Sequence, residues 1–260
     1  MGKDMVRRRA ICSPKGGVGK TTIACNLAAV SAHSGKKTLV IDLDPQGAST
    51  SYLLGSEENR LNVTLTAFFE EILYRTLNPK GLPACIHRTP FAGLDLIPSH
   101  PDLEYLAEIL ESRHKLDALK AALRALSDYD EVYIDTPPAL NFYTRAALIA
   151  ADGCLVPFDC DHLSRRGLYR LLNFVREVQA NHNADLVLEG IIVNQFQVAA
   201  KLPKRIVCEL IEEGLPVFHS LLSSSIRIRE SRERALPMVY LEPRHNVTLQ
   251  FMALYGELNA

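Results

Sequence analysis

Net charge is nearly absent from this chain. Its 29 Lys and Arg against 30 Asp and Glu leave a formal charge of −1. No global excess of one sign draws it to nucleic acid, so any such surface must be local. Apolar runs of about 18 residues, the length that spans a bilayer, are also missing. The lead segment Met1–Arg9 is polar and basic, unlike a secretory leader. The six cysteines (Cys12, Cys25, Cys85, Cys154, Cys160, Cys208) never fall at C-x-x-C spacing. Most sit in apolar contexts, which favours reduced, buried thiols in a cytoplasmic protein. Repeats and low-complexity tracts are absent. What is present is a globular balance, 47% apolar and 23% charged over 260 residues, enough for one large domain over residues 1–260 with a substantial core.

Short β-rich runs alternate with longer helical patterns. Strands are expected at 8–12, 38–43, 94–97, 131–135, 154–157, 186–194 and 217–218. Helices are expected at 21–34, 65–74, 102–110, 115–126, 144–150, 164–180, 203–213 and 248–257. In 164–180, Leu168, Leu171, Leu172, Val175 and Val178 follow helical spacing, with Arg166, Arg170, Asn173 and Glu177 opposite. The alternation predicts an α/β fold, a mostly parallel twisted sheet with helices on both faces in a single domain. The least regular part, residues 55–101, reads as a surface elaboration.

One stretch organises the rest: Ser13-Pro14-Lys15-Gly16-Gly17-Val18-Gly19-Lys20-Thr21-Thr22. It follows an apolar run, Ala10-Ile11-Cys12, and opens into a helix-forming sequence. Strand, glycine-rich turn and helix wrap backbone N–H groups around a phosphate and aim a helix N-terminus at it. Residues Gly16 to Thr22 would bind the phosphates, with Lys20 on the β- and γ-phosphates and the Thr21 hydroxyl on Mg2+. The common pattern G-x-x-x-x-G-K-[ST] would need glycine at position 14, where this chain has Pro14. It carries a second lysine, Lys15, instead.

Carboxylates complete the pattern. The second strand ends in Ile41-Asp42-Leu43-Asp44-Pro45-Gln46-Gly47, placing Asp42 and Asp44 on one side of the strand at its ligand-facing end. A later apolar strand ends in Asp135-Thr136-Pro137-Pro138, the layout in which a carboxylate holds Mg2+, usually through water.

Lys15-Gly16-Gly17-x-Gly19-Lys20-Thr21 resembles the deviant Walker A motif of the ParA/MinD superfamily of dimerising P-loop NTPases. Asp42-Leu43-Asp44-Pro45-Gln46 is similar to the switch I of ParA proteins, and Thr136-Pro137-Pro138 to switch II. The chain as a whole, from Arg8 to about Leu258, resembles a ParA-type partition ATPase without the extra N-terminal DNA-binding region; residues 56–128 contribute little to the match. The resemblance implies a homodimer formed on ATP binding. Lys15 would cross the interface to the partner's phosphates and, with Lys20, stabilise charge in the transition state. Asp44 would orient the attacking water, with Asp42 and Asp135 supporting the Mg2+ shell. It also implies non-specific DNA binding in the ATP state and a ParB-like or other cargo adaptor that stimulates hydrolysis, hence a cytoplasmic, nucleoid-associated protein.

Candidate DNA contacts are Lys201, Lys204 and Arg205 on one expected helix, and Arg227, Arg229, Arg232 and Arg234 after a serine run; a third cluster is Arg165, Arg166 and Arg170. Arg227 matches the family's DNA-contacting arginine. Phosphate-neutralising residues of this kind and an ordinary solvated charged face remain two readings of these clusters. Asn194 ends a buried strand where family members often contact the adenine, and it also fits a plain polar strand terminus. Ser13-Pro14 and Cys160, His162, Arg165 and Arg166 depart from the usual family sequence. Other classes stay open: a MinD-like spatial regulator, disfavoured by a C-terminal segment lacking Lys and Arg; a cluster-bridging iron protein using Cys85 and Cys154; a metabolite-coupled kinase or ligase; and a non-hydrolysing scaffold.

Overall fold

A computed structural model describes residues 6–260, the side chains of residues 59, 60, 162 and 163 excepted; Met1 to Met5 of the lead segment lie outside it. Seven strands form one sheet: β1 (Arg7–Ile11), β2 (Thr38–Asp42), β3 (His87–Arg88), β4 (Leu94–Ile97), β5 (Glu131–Asp135), β6 (Gly153–Asp159) and β7 (Val187–Asn194). Their spatial order is β3-β4-β2-β5-β1-β6-β7. All pairings are parallel except β3 with β4. Every residue of β2 and β5 is buried, as expected of parallel strands covered on both faces.

Alternation along the strands feeds two cores. Ala10, Leu39, Ile41, Val132 and Ile134 face one side. There they meet α3 (Leu65–Tyr74), α4 (Leu103–Ser112), α5 (Ala118–Leu123), α6 (Phe142–Ala150) and α7 (His162–Asn181). Ile11, Val40 and Tyr133 face the other, toward α1 (Lys20–His33), α2 (Ala48–Leu54), α10 (Met238–Leu241) and α11 (Asn246–Leu258). Helix α1 is buried along nearly its whole length; its small residues Ala24, Ala28 and Ala29 let sheet, α2 and α11 close around it. The exposed helices are α8 (Lys201–Glu212) and α9 (Ile226–Glu233).

Several expectations need correction. Residues 55–101 are no surface elaboration: Leu65, Phe68, Phe69, Leu73, Leu82 and Cys85 are buried in the main core, and β4 lies inside the sheet. The strand expected at 217–218 reduces to one isolated bridge from Val217 to Ile191. Helices α2, α9 and α10 were not anticipated, and the one expected at 115–126 is shorter. The cysteines are free and buried except Cys208.

Candidate functional site

Strands β1, β2 and β5 run in one direction, so the loops that follow them converge at one edge of the sheet. Register sets Asp135 between Asp42 on one neighbour and Ile11 on the other. The chain passes from β1 over β5 to β2, while β6 lies on the opposite side of β1. That reversal is where open α/β sheets hold ligands.

Residues 13–22 wrap from β1 into α1. Gly17 and Gly19 adopt φ of 76° and 97°, which only glycine takes without strain. Gly19 is doubly constrained, because a Cβ there would stand 2.2 Å from the Asn194 amide nitrogen. That amide donates to the Val18 carbonyl at 2.8 Å, and Gln195 Nε2 donates to the Gly17 carbonyl at 3.1 Å. The end of β7 thus takes up two carbonyls of the loop, leaving its N–H groups for an anion. Pro14 packs against α7, where a Cβ on Gly167 would meet its ring at 3.3 Å; the departure at position 14 fills that contact.

The two lysines part company. Lys20 is buried, reaches the Lys15 carbonyl at 3.4 Å and lines a cleft of about 380 Å3, a size suited to a small-molecule site. Burial lowers its pKa against the pull of Asp135 and Asp44. Lys15 turns away from the cleft and is half-buried. Its ammonium donates to Asp159 at 3.0 Å, to Ser164 at 2.9 Å and to Asp161, and it forms no part of the cleft wall.

Asp135 is fully buried. Its Oδ2 accepts from the Thr21 and Ser49 hydroxyls, each at 2.7 Å, while its buried Oδ1 has no hydrogen-bond partner. An orphaned carboxylate oxygen beside a threonine hydroxyl fits a hard divalent cation. Asp42 is also fully buried, but its oxygens are engaged: Oδ2 accepts from Thr50 N and Oγ1, each at 2.8 Å, and Oδ1 from Asp44 N at 3.1 Å. Burial pushes both carboxyls up, and Asp135 adds to the rise at Asp42. Asp44 lines the cleft, held by Gln46 N on Oδ1 at 3.0 Å and by Ser99 Oγ on its carbonyl at 2.6 Å. Burial raises its pKa.

The basic residues divide. Lys201, Lys204 and Arg205 share the exposed face of α8, with Arg205 reaching Glu209 at 3.4 Å. Arg227 is ion-paired with Glu230 and Glu242. Arg229 instead lines the cleft. The sequence reading passed over Ser49 and Thr50, although both follow the Asp44-Pro45-Gln46-Gly47 turn directly. It also passed over Gln195 and the Asp159, Asp161 and Ser164 that hold Lys15, while Arg232, expected among the DNA contacts, lines the cleft with Arg229. Cys85 and Cys154 are deep in the core, which takes them out of any subunit-bridging cluster. Among the described residues no helix is long and apolar enough to cross a membrane.

A family model described as an AAA domain matches residues 6–188. The chromosome partitioning protein ParA of Myxococcus xanthus is 33% identical over 257 residues, covering 96% of this chain and 87% of that one. The chromosome-partitioning ATPase Soj of Thermus thermophilus is 36% identical, covering 87% and 84%. The chain belongs to the ParA/Soj family of P-loop ATPases. Among solved structures, an ATP complex of McdA from Cyanothece has a TM-score of 0.84 at 26% identity, covering 99% of this ParA/Soj-family chain and 98% of its own. Cobyrinic acid a,c-diamide synthase from Mycobacterium smegmatis, with ADP and magnesium bound, has a TM-score of 0.76 at 31% identity, covering 92% and 97%.

Proposed function

We propose that this chain is a Mg2+- and ATP-dependent dimerising ATPase that segregates or positions cargo over the nucleoid. The observation that carries the reading is that Lys15 lies outside the cleft that Lys20 lines. Lys20 already occupies the chain's own phosphate loop, whereas Lys15 stands outside it on an acidic ledge of Asp159 and Asp161, from which it would swing to reach a neighbouring molecule. A cation supplied from a second subunit stabilises a transferring phosphoryl group through charge and position alone. ATP would lie on residues Gly16 to Thr22, with Lys20 on its phosphates and Asn194 bordering the cleft. Thr21 and Asp135 would hold Mg2+, which neutralises phosphate charge when bound. Asp42 supports that site from behind by fixing Thr50 and the Asp44 backbone, and Asp44 would orient the attacking water. The ATP complex of McdA and the partitioning roles named for ParA and Soj relatives support the same reading.

The test is the mass of the particle in solution. With Mg2+ and the slowly cleaved analogue ATPγS, light scattering should report a dimer, and Lys15→Ala should weaken it. A lone subunit at high concentration under those conditions would overturn the proposal. The same dimer should retain duplex DNA of any sequence at low salt, through Lys201, Lys204 and Arg205 on α8 and Arg227 on α9. Each phosphate neutralised adds to a steep loss of affinity as salt rises. Retention that is absent, or indifferent to salt, removes DNA from the cycle and leaves an adaptor-directed positioning role. A ParB-like or other cargo adaptor would stimulate turnover, read as a faster ATPase rate on its addition.

A further inference from the structure

Helix α9 carries arginines that point to two different places. Arg227 is partly exposed and ion-paired with Glu230 and Glu242. Arg229 and Arg232, three positions apart and so on one face of the helix, line the cleft whose other wall is the phosphate loop. Both are exposed, and among the described residues neither makes an ion pair. Around them the cleft lining mixes apolar side chains, Leu222, Ile228, Val247 and Phe251, with the serines of Ser223-Ser224-Ser225. A triphosphate seated on residues 16–22 leaves its nucleoside to be housed in this remainder of the cleft. That space presents a few apolar side chains, the serine run and two guanidinium groups without an ion pair among the described residues.

We propose that Arg229 and Arg232 are nucleoside-binding residues, whose guanidinium planes stack on the purine ring while the apolar residues pack against it. The assignment rests on the ATPase reading above. Guanidinium is the cation suited to this task, being planar and weakly hydrated, and it stacks on aromatic faces as an ammonium does not. The helix is also held in place for it. Ser231 on α9 is fully buried; its Oγ meets the Tyr52 hydroxyl at 2.5 Å and donates to the Leu236 carbonyl at 2.6 Å. Tyr52 accepts from Asn26 Nδ2 at 3.1 Å, and the same amide donates to the carbonyl of Thr22, the last residue of the phosphate loop, at 2.8 Å. A buried, satisfied chain of hydrogen bonds thus fixes the spacing between the phosphate end and the arginine wall, the preorganisation a two-ended ligand needs. It also withdraws Arg229 and Arg232 from the DNA-facing set.

Calorimetric titration with Mg-ATPγS and, separately, with magnesium tripolyphosphate, which has no nucleoside, tests the assignment. Arg229→Ala/Arg232→Ala should bind ATPγS about ten-fold more weakly than the wild type, the scale of lost guanidinium–ring contacts. Its tripolyphosphate affinity should stay within about twofold. Arg229→Lys/Arg232→Lys, which keeps the charge and loses the plane, should resemble the alanine variant. Equal weakening toward both ligands, rescue by lysine, or unchanged ATPγS binding would each overturn the assignment while leaving the ATPase reading intact. A wild-type protein that binds neither ligand would refute that reading and this assignment together.

Discussion

Lys20→Ala is expected to abolish both ATP turnover and the ATP-dependent dimer. Its ammonium is the cation the chain places inside its own phosphate loop, buried and flanked by Asp44 and Asp135. Burial already lowers its pKa, so it carries its charge at some cost, and a bound triphosphate would offset it. Removing one partner of a buried charge pair costs on the order of 2–5 kcal/mol in binding, so ATPγS affinity should fall about a hundredfold or more. Truncation also strips Asp44 and Asp135 of their nearby positive charge. A thermal melt of the nucleotide-free variant therefore belongs beside the titration, to separate lost binding from lost fold. A folded variant that still dimerises with ATPγS and hydrolyses ATP at the wild-type rate would show that the phosphates do not lie on this lysine.

Why was that lysine legible before any coordinates, and its neighbours not? The phosphate loop, Asp42, Asp44 and Asp135 each sit where a strand stops. In a parallel sheet, strand ends converge on one edge, so local patterns sufficed to place them together. Contacts set by strand order were invisible. Lys15 meets Asp159 across 144 residues of chain because β6 happens to lie beside β1, and no local spacing reports that adjacency. Helix α9 was hidden for a different reason. Ile226-Arg227-Ile228-Arg229 alternates like a strand; what makes it helical is the Ser225 cap on Arg227 N and the buried Ser231–Tyr52 contact. A cluster of arginines read from sequence as one basic patch is therefore divided between a paired surface residue and the wall of the cleft. Residues 55–101 read as a surface elaboration, although the helix at 65–74 was legible, because the partners of its buried face, Phe142 and Tyr143, lie far away in the chain.

Asp44→Ala should uncouple holding ATP from spending it. The carboxylate is anchored on one side only: Oδ1 accepts from Gln46 N, and among the described residues Oδ2 takes part in no hydrogen bond while the residue lines the cleft. An oxygen so placed can accept a proton from a water aimed at the terminal phosphate. Burial raises its pKa, which makes the carboxylate a stronger base. Positioned general bases contribute roughly 10²–10⁴-fold, so kcat should fall by about that factor. The phosphate loop, Lys20 and Asp135 are untouched, and removing a negative charge beside the triphosphate relieves repulsion, so ATP affinity should hold or improve. The ATP-bound dimer would then persist, visible as a complex that stays dimeric in ATP long after the wild type has returned to monomers. Asp44→Asn sharpens the test, since it can hold a water but accepts its proton poorly: slow turnover implicates basicity, and near-normal turnover implicates orientation alone. Full turnover by Asp44→Ala would leave the water to some other group and take the switch out of this turn.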